Sequence, residues 1–240
     1  TRRTGVVAAL AAALAAAAVL ARRLGPAPLS DRADTTRSTV RTAPAIAGSP
    51  TPVPWADSTL VVVVPDGLGW ALAALDAGSR TPSPRRLTER FDELEAPAWS
   101  PDGRLLAFAG RRDGNWDVYV VTENGGNATR LTTDPGYDGA PAWSPDGRDL
   151  AFVSSRQGAP AVYRTALVGH DSEAVRLSGG AGPAVDPAWS PDGRWVAYAA
   201  WGRGGYRLRV VAATGGSSRL LTASGTGSDL RAPAWSSDGT

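Results

Sequence analysis

Ala96-Pro-Ala-Trp-Ser-Pro-Asp-Gly103 recurs unchanged from Ala140 to Gly147. It returns at Asp186 to Gly193 with Asp in first place, and at Ala232 to Gly239 with Ser for the second Pro. A degenerate copy, Pro-Trp-Ala-Asp-Ser, runs from Pro54 to Ser58. The tryptophans of these copies are Trp55, Trp99, Trp143, Trp189 and Trp235, spaced by 44, 44, 46 and 46 residues. A second marker keeps step with them: Leu87-Thr88, Leu131-Thr132, Leu177-Ser178 and Leu221-Thr222. Two markers in phase over four periods define an internal repeat, and the repeat decides the fold before any local signal does.

Within one period every local signal is β. Pro97 to Ser100 reads as a short strand ended by Pro-Asp-Gly, where Pro101 fixes φ and Gly103 accepts a positive φ. Leu105 to Ala109 suits a strand buried on both faces. Arg111 to Asn115 contains the hairpin signal Asp-Gly, and Trp116 to Thr122 is β-branched and aromatic. Asn124-Gly125-Gly126 turns the chain into a fourth strand at Thr129 to Thr132. Leu150 to Ser154, Ala161 to Ala166, Trp195 to Ala200 and Tyr206 to Val211 repeat the pattern. Leu60 to Val64 opens the first period as a strand. Trp70 to Leu75 is Ala/Leu-rich and reads locally as a helix, but the phase of the repeat makes it a strand. Four short antiparallel strands per period is the blade of a β-propeller. The expected fold is therefore all-β, with repeats at 53–95, 96–139, 140–185 and 186–231 and a partial copy at 232–240.

The order Trp-Ser-Pro-Asp-Gly, apolar strand, Asp-Gly hairpin, aromatic strand, Gly-Gly and Arg-Leu-Thr resembles the TolB-type (WD-like) propeller repeat over residues 53 to 240. The resemblance implies a ring of six or more blades, of which four repeats and the start of a fifth are present here. It also implies protein partners in a cell-envelope assembly. In place of that family's N-terminal α/β domain, this chain carries a hydrophobic segment and a linker.

The hydrophobic segment is Gly5 to Ala21, bracketed by Arg2-Arg3 and Arg22-Arg23. A helix of that length spans roughly 26 Å, just short of a bilayer core. Residues 1–23 thus read as a transmembrane anchor or a signal segment, and either sends the propeller across the membrane, to the periplasmic or extracellular side. Residues 24–52, rich in Pro, Ala, Ser and Thr, read as a disordered spacer.

The 240-residue chain has no Cys, no Met, no Lys and one histidine, His170. These absences exclude disulfides, thiolate metal sites, a Cys nucleophile, a Schiff-base lysine and a Walker-type phosphate lysine. The net charge is +2, yet four arginines lie in the first 25 residues, so the remaining 21 face 23 acidic residues. That balance argues against nucleic acid as a partner.

Asp102, Asp146, Asp192 and Asp238 each precede a glycine (Gly103, Gly147, Gly193 and Gly239) and read as turn-formers bonding nearby backbone, not as a calcium ring. The repeat tryptophans read as packing between blades. Trp201 and Arg203, in Trp-Gly-Arg-Gly-Gly, and the pair Arg111-Arg112 are read as loop residues and are the candidate partner contacts. No Gly-x-Ser-x-Gly elbow is present, and His170 lies in a predicted turn, so no catalytic, cofactor or metal residue is assigned. Gly67-Leu-Gly-Trp completes no dinucleotide fingerprint, and a glycan or small-molecule ligand has no support in the sequence. The expected function is a tethered or exported, non-enzymatic scaffold or sensor that binds protein in the envelope. The alternative is the propeller that gates a prolyl oligopeptidase-like serine peptidase.

Overall fold

The computed structural model describes residues 59–77, 83–167, 174–202, 204–221 and 229–239. All of them belong to one compact unit, Thr51–Thr240. The hydrophobic segment, the linker, Trp55, His170 and Arg203 lie outside the described residues. Among the described residues no helix is long and apolar enough to cross a membrane.

The described residues form fifteen strands in four antiparallel sheets, each a meander in chain order. The first holds β1 (Thr59–Asp66), β2 (Gly69–Asp76) and β3 (Arg85–Arg86). The second holds β4 (Glu93–Trp99), β5 (Leu105–Arg112), β6 (Asn115–Thr122) and β7 (Thr129–Arg130). The third holds β8 (Asp138–Trp143), β9 (Asp149–Ser154), β10 (Ala161–Ala166) and β11 (Val175–Arg176). The fourth holds β12 (Ala184–Trp189), β13 (Trp195–Gly202), β14 (Gly205–Ala212) and β15 (Arg219–Leu220). The Ala/Leu-rich stretch after Gly69 is a strand, as the repeat phase requires: β1 offers it an eight-residue ladder, which outweighs its helix propensity. The first sheet has three strands among the described residues, where a four-stranded blade was expected.

Consecutive sheets stack face to face through apolar side chains. Leu72 and Leu87 of the first sheet meet Leu106, Phe108 and Tyr119 of the second, with Phe91 between them. Phe91 lies edge-on to Phe108 at 5.3 Å and to Tyr119 at 4.8 Å. Ala107, Val118 and Val120 of the second sheet meet Trp143, Leu150 and Phe152 of the third. Ala151 and Val162 of the third meet Val196, Tyr198 and Val211 of the fourth. The central strand pairs of the second and third sheets are thus buried on both faces. That explains the continuous apolar runs in place of alternation, and each fully buried Leu or Phe contributes about 2 kcal/mol of transfer free energy.

Two backbone features depart from the sequence reading. The inner strands start earlier, at Glu93 in the second sheet, and each is broken by a bulge at the residue before the motif proline. Ala96, Ala140, Asp186 and Ala232 have φ near +50°, a conformation that costs an L-residue about 1–2 kcal/mol. The outer strands are only two residues long. They stop because a hydroxyl recurring in phase takes one of the two bonds of the next rung: the N–H groups of Leu72, Val118 and Val162 donate to Thr88 Oγ1, Thr132 Oγ1 and Ser178 Oγ at 2.9–3.0 Å, while their carbonyls still accept from Leu87, Leu131 and Leu177 at 2.8 Å.

Candidate functional site

The two ends of the sheets are built differently. One end carries the Ser-Pro-Asp-Gly turns. In the second sheet Ser100 Oγ donates to Asp102 Oδ1 (2.6 Å), the Leu105 N–H donates to Ser100 Oγ (2.9 Å), and the Arg104 N–H donates to Asp102 Oδ1 (3.1 Å). Gly103, at φ +71°, returns its N–H to the Ser100 carbonyl. The same bonds recur at Ser144, Asp146 and Gly147 and at Ser190, Asp192 and Gly193. The serine hydroxyl, and after it the backbone N–H, holds each of the three carboxyl groups below the usual carboxylate range. Gly239 returns its N–H to the Ser236 carbonyl, closing the turn at Asp238. One oxygen of each of the three bonded aspartates is thus committed to its own turn. Among the described residues no cluster of three or more acidic or histidine side chains could hold a metal.

The repeat tryptophans tie each turn to the sheet before it. The indole N–H groups of Trp143, Trp189 and Trp235 donate to the carbonyls of Ala98, Ala142 and Ala188 at 2.9–3.1 Å. Trp99 packs partly buried against the core between the first two sheets.

The opposite end carries the hairpins β1–β2, β5–β6, β9–β10 and β13–β14. One register position next to each hairpin holds the pairs Pro65–Trp70, Arg111–Trp116 and Trp201–Tyr206. An aromatic residue therefore stands at the same place in three of the four sheets. Trp70 and Trp201 are exposed, Trp201 by 53%, and Leu68 at the first hairpin tip is fully exposed. Trp201 lies edge-on to Tyr206 at 5.1 Å, and Arg231 covers the Tyr206 ring at 3.9 Å. Trp116 faces Tyr137 at 6.1 Å. Tyr137 donates its hydroxyl to Glu95 Oε1 (2.6 Å); burial, then the Glu95 charge, pushes this phenol far up.

Three candidate contacts differ from the sequence reading. Trp201 is a strand residue of β13, not a loop residue, because Tyr206 pairs with it across the hairpin. Arg111 and Arg112 end β5 as strand residues, each part-exposed and ion-paired within the chain. Arg111 pairs with Glu93. Arg112 pairs with Glu89 at 2.9 Å and lies 4.1 Å over the Phe91 ring, tying the end of the first sheet to the second. Burial pushes the Glu89 carboxyl up, but Arg112 and the Ala128 N–H outweigh it, and the net shift is downward. The sequence reading did not include the aromatic row: its signal is the recurrence of Trp or Tyr one or two residues after the last hairpin glycine in three of the four sheets.

The TolB beta propeller domain model matches residues 80–240. The Tol-Pal system protein TolB of Syntrophus aciditrophicus (strain SB) is 37% identical over 79 residues, 32% of this chain and 18% of that protein. A putative TolB from Agrobacterium tumefaciens superimposes with a TM-score of 0.58 at 26% identity, over 68% of this chain and 58% of that one. TolB from Acinetobacter baumannii gives 0.60 at 24%, over 75% and 44%. A structure of prolyl endopeptidases gives 0.53 at 17%, over 68% and 28%, a likeness of fold alone. The chain thus spans less than two thirds of each of these relatives. With a matched model over most of its length, four stacked antiparallel sheets and three intact Trp-Ser-Pro-Asp-Gly turns in phase, the chain belongs to the TolB β-propeller domain family.

Proposed function

We propose that this chain is a non-enzymatic binding propeller of the cell envelope. It is displayed outside the cytoplasm, tethered by its N-terminal hydrophobic segment, and docks a protein partner on the hairpin ends of its sheets. The observation that carries this reading is the aromatic row there, with Trp70 and Trp201 exposed and Tyr206 under Arg231. Trp, Tyr and Arg on a rigid scaffold are the residue types that dominate protein recognition. The opposite end offers turn aspartates already bonded to their own backbone, with Trp195 exposed in one sheet and no repeated row of exposed aromatics among the described residues. Membership of the TolB family supports a partner within an envelope assembly, since the matched relative is named for the Tol-Pal system. A peptidase gate is the lesser reading, because the likeness to prolyl endopeptidases is one of fold.

A photo-crosslinking amino acid at Trp201, on the hairpin end, and another at Arg104, on the turn end, test the docking face in cells. A discrete protein adduct from position 201, weakened by Trp70→Ser and absent from position 104, is expected. Adducts from position 104 alone, or from neither, would overturn the assignment. Alkaline phosphatase fused after Pro54 tests the location: activity outside the cytoplasm is expected, and activity confined to it rejects the export.

A further inference from the structure

The joint between the third and fourth sheets follows the plan of the joint before it, but its lining is changed. Between the second and third sheets, Leu105, Val120 and Leu167 pack into one apolar cluster with Trp143, which is buried. In the repeat, Asp149, Arg164 and Ala213 occupy the places of Leu105, Val120 and Leu167. Leu105 and Asp149 each open the second strand of their sheet. Val120 pairs with Ala107 as Arg164 pairs with Ala151. Leu167 and Ala213 donate their N–H groups to the equivalent carbonyls of Arg148 and Arg194. Trp189 takes the place of Trp143 and remains part-exposed.

The third joint is as closely made as the second. Its indole clasp measures 3.1 Å against 2.9 Å, and Gly193 lies against Pro145 as Gly147 lies against Pro101. The changed side chains therefore account for the space between the sheets. A cleft of about 470 Å³ opens there at the turn end, lined among others by Asp146, Asp149, Arg164, Trp189, Asp192 and Ala213. That volume is ordinary for a small-molecule site.

Asp149 and Arg164 do not satisfy each other. Their nearest oxygen and nitrogen stand 3.8 Å apart on part-buried side chains, too far for a hydrogen bond. Arg130 and Asp117 show the closed form of such a pair, at 2.7 Å. Among the described residues the Arg164 guanidinium donates no hydrogen bond. A gap left by lost packing needs no charges, whereas two opposite charges held apart at its wall suit a ligand that carries both.

We propose that this cleft binds a free α-amino acid with a basic side chain. The carboxylate of the ligand meets the forked guanidinium of Arg164, and its α-ammonium meets Asp149. Both ligand charges hang on one carbon, so they match two side chains in near contact. The three aspartates and one arginine of the lining sum to −3 + 1 = −2, which calls for a second positive charge on the ligand. Asp146 and Asp192 each hold one oxygen in their turns and keep the other for that charge. Arg194 approaches Asp192 to 3.8 Å but does not line the cleft. Trp189 offers an aromatic wall to the methylenes and the cation of the ligand.

Isothermal titration calorimetry of the full-length chain in detergent, with L-arginine and with L-lysine, tests the proposal. One-to-one binding of at least one of them with a Kd at or below about 1 mM is expected. Agmatine lacks the carboxylate and N-acetyl-L-arginine lacks the α-ammonium, so each should bind at least about tenfold more weakly than L-arginine. Asp149→Leu/Arg164→Val rebuilds the lining of the second joint and should fold, because an apolar pair replaces a loose ion pair. It should lose at least about tenfold in affinity, while Arg104→Ala, in the neighbouring turn, should lose none. Arg164→Gln carries the same test if the double variant does not fold. No binding of either amino acid, agmatine bound as tightly as L-arginine, or undiminished binding by the cleft variants would each overturn the proposal.

Discussion

Replacing Thr132 with Val tests how the outer strands are ended. Thr132 is fully buried, and its hydroxyl accepts the N–H of Val118 at 2.9 Å, while the Val118 carbonyl keeps a backbone bond from the Leu131 N–H at 2.8 Å. Valine has nearly the same shape but no acceptor. The substitution removes a hydrogen bond of about 1 kcal/mol net and leaves a buried N–H unsatisfied, at about 1–3 kcal/mol. The methyl gained recovers less than 1 kcal/mol. The expected loss is about 2 kcal/mol, a fall of about 4–8 °C in Tm for a unit of this size. Thr132→Ser keeps the acceptor, as Ser178 does one repeat later, and should lose only the buried methyl, about 0.8 kcal/mol. Urea unfolding followed by tryptophan fluorescence measures both, with an unchanged m-value showing that the native state alone is affected. If the valine variant proves no less stable than the serine variant, the hydroxyl is not what satisfies the Val118 N–H.

Two further predictions concern the motif itself. Ala140→Gly relieves an alanine held at φ +49° and should raise stability by up to about 1 kcal/mol in the same urea assay; a loss would mean that the bulge is unstrained. Ser144→Ala removes the hydroxyl that holds Asp146 below its ordinary range, so an NMR titration should show that carboxyl rising. Because the folded carboxyl is depressed, its stabilising effect is present above the unfolded pKa near 3.8 and is lost as pH falls through the lower folded value. The serine variant should therefore lose less stability than the parent between about pH 4 and pH 2. An identical acid response in the two proteins would reject the linkage.

The repeat made the sheets legible because its two markers do separate physical jobs. The Trp motif builds the turn and the clasp to the preceding sheet, and the Leu-Thr pair ends the outer strand. What the repeat did not reveal depends on partners far along the chain. Arg112 looks like a hairpin charge until Glu89, 23 residues earlier, and the Phe91 ring are brought beneath it. Trp201 looks like a loop residue because glycines surround it, yet the register with Tyr206 keeps it in a strand. An alanine before proline reads as extended, and only the extra residue in the inner ladder turns Ala96 and its equivalents to positive φ. The aromatic row shares neither marker and emerges only when the hairpins are superimposed.

The Ala-Trp step in the inner strand has a consequence for how such a chain can change over time. Its alanine offers a carbonyl forward to the next tryptophan, and its tryptophan reaches back to the previous alanine. The copies at Trp143 and Trp189 are thus plug and socket at once, and the clasp is the same bond at all three joints. Duplicating or deleting one whole period by recombination therefore leaves the clasp at each remaining joint unchanged. A gene built this way can alter its number of units in a single step, while point substitutions at the hairpin ends diversify recognition without touching the joints.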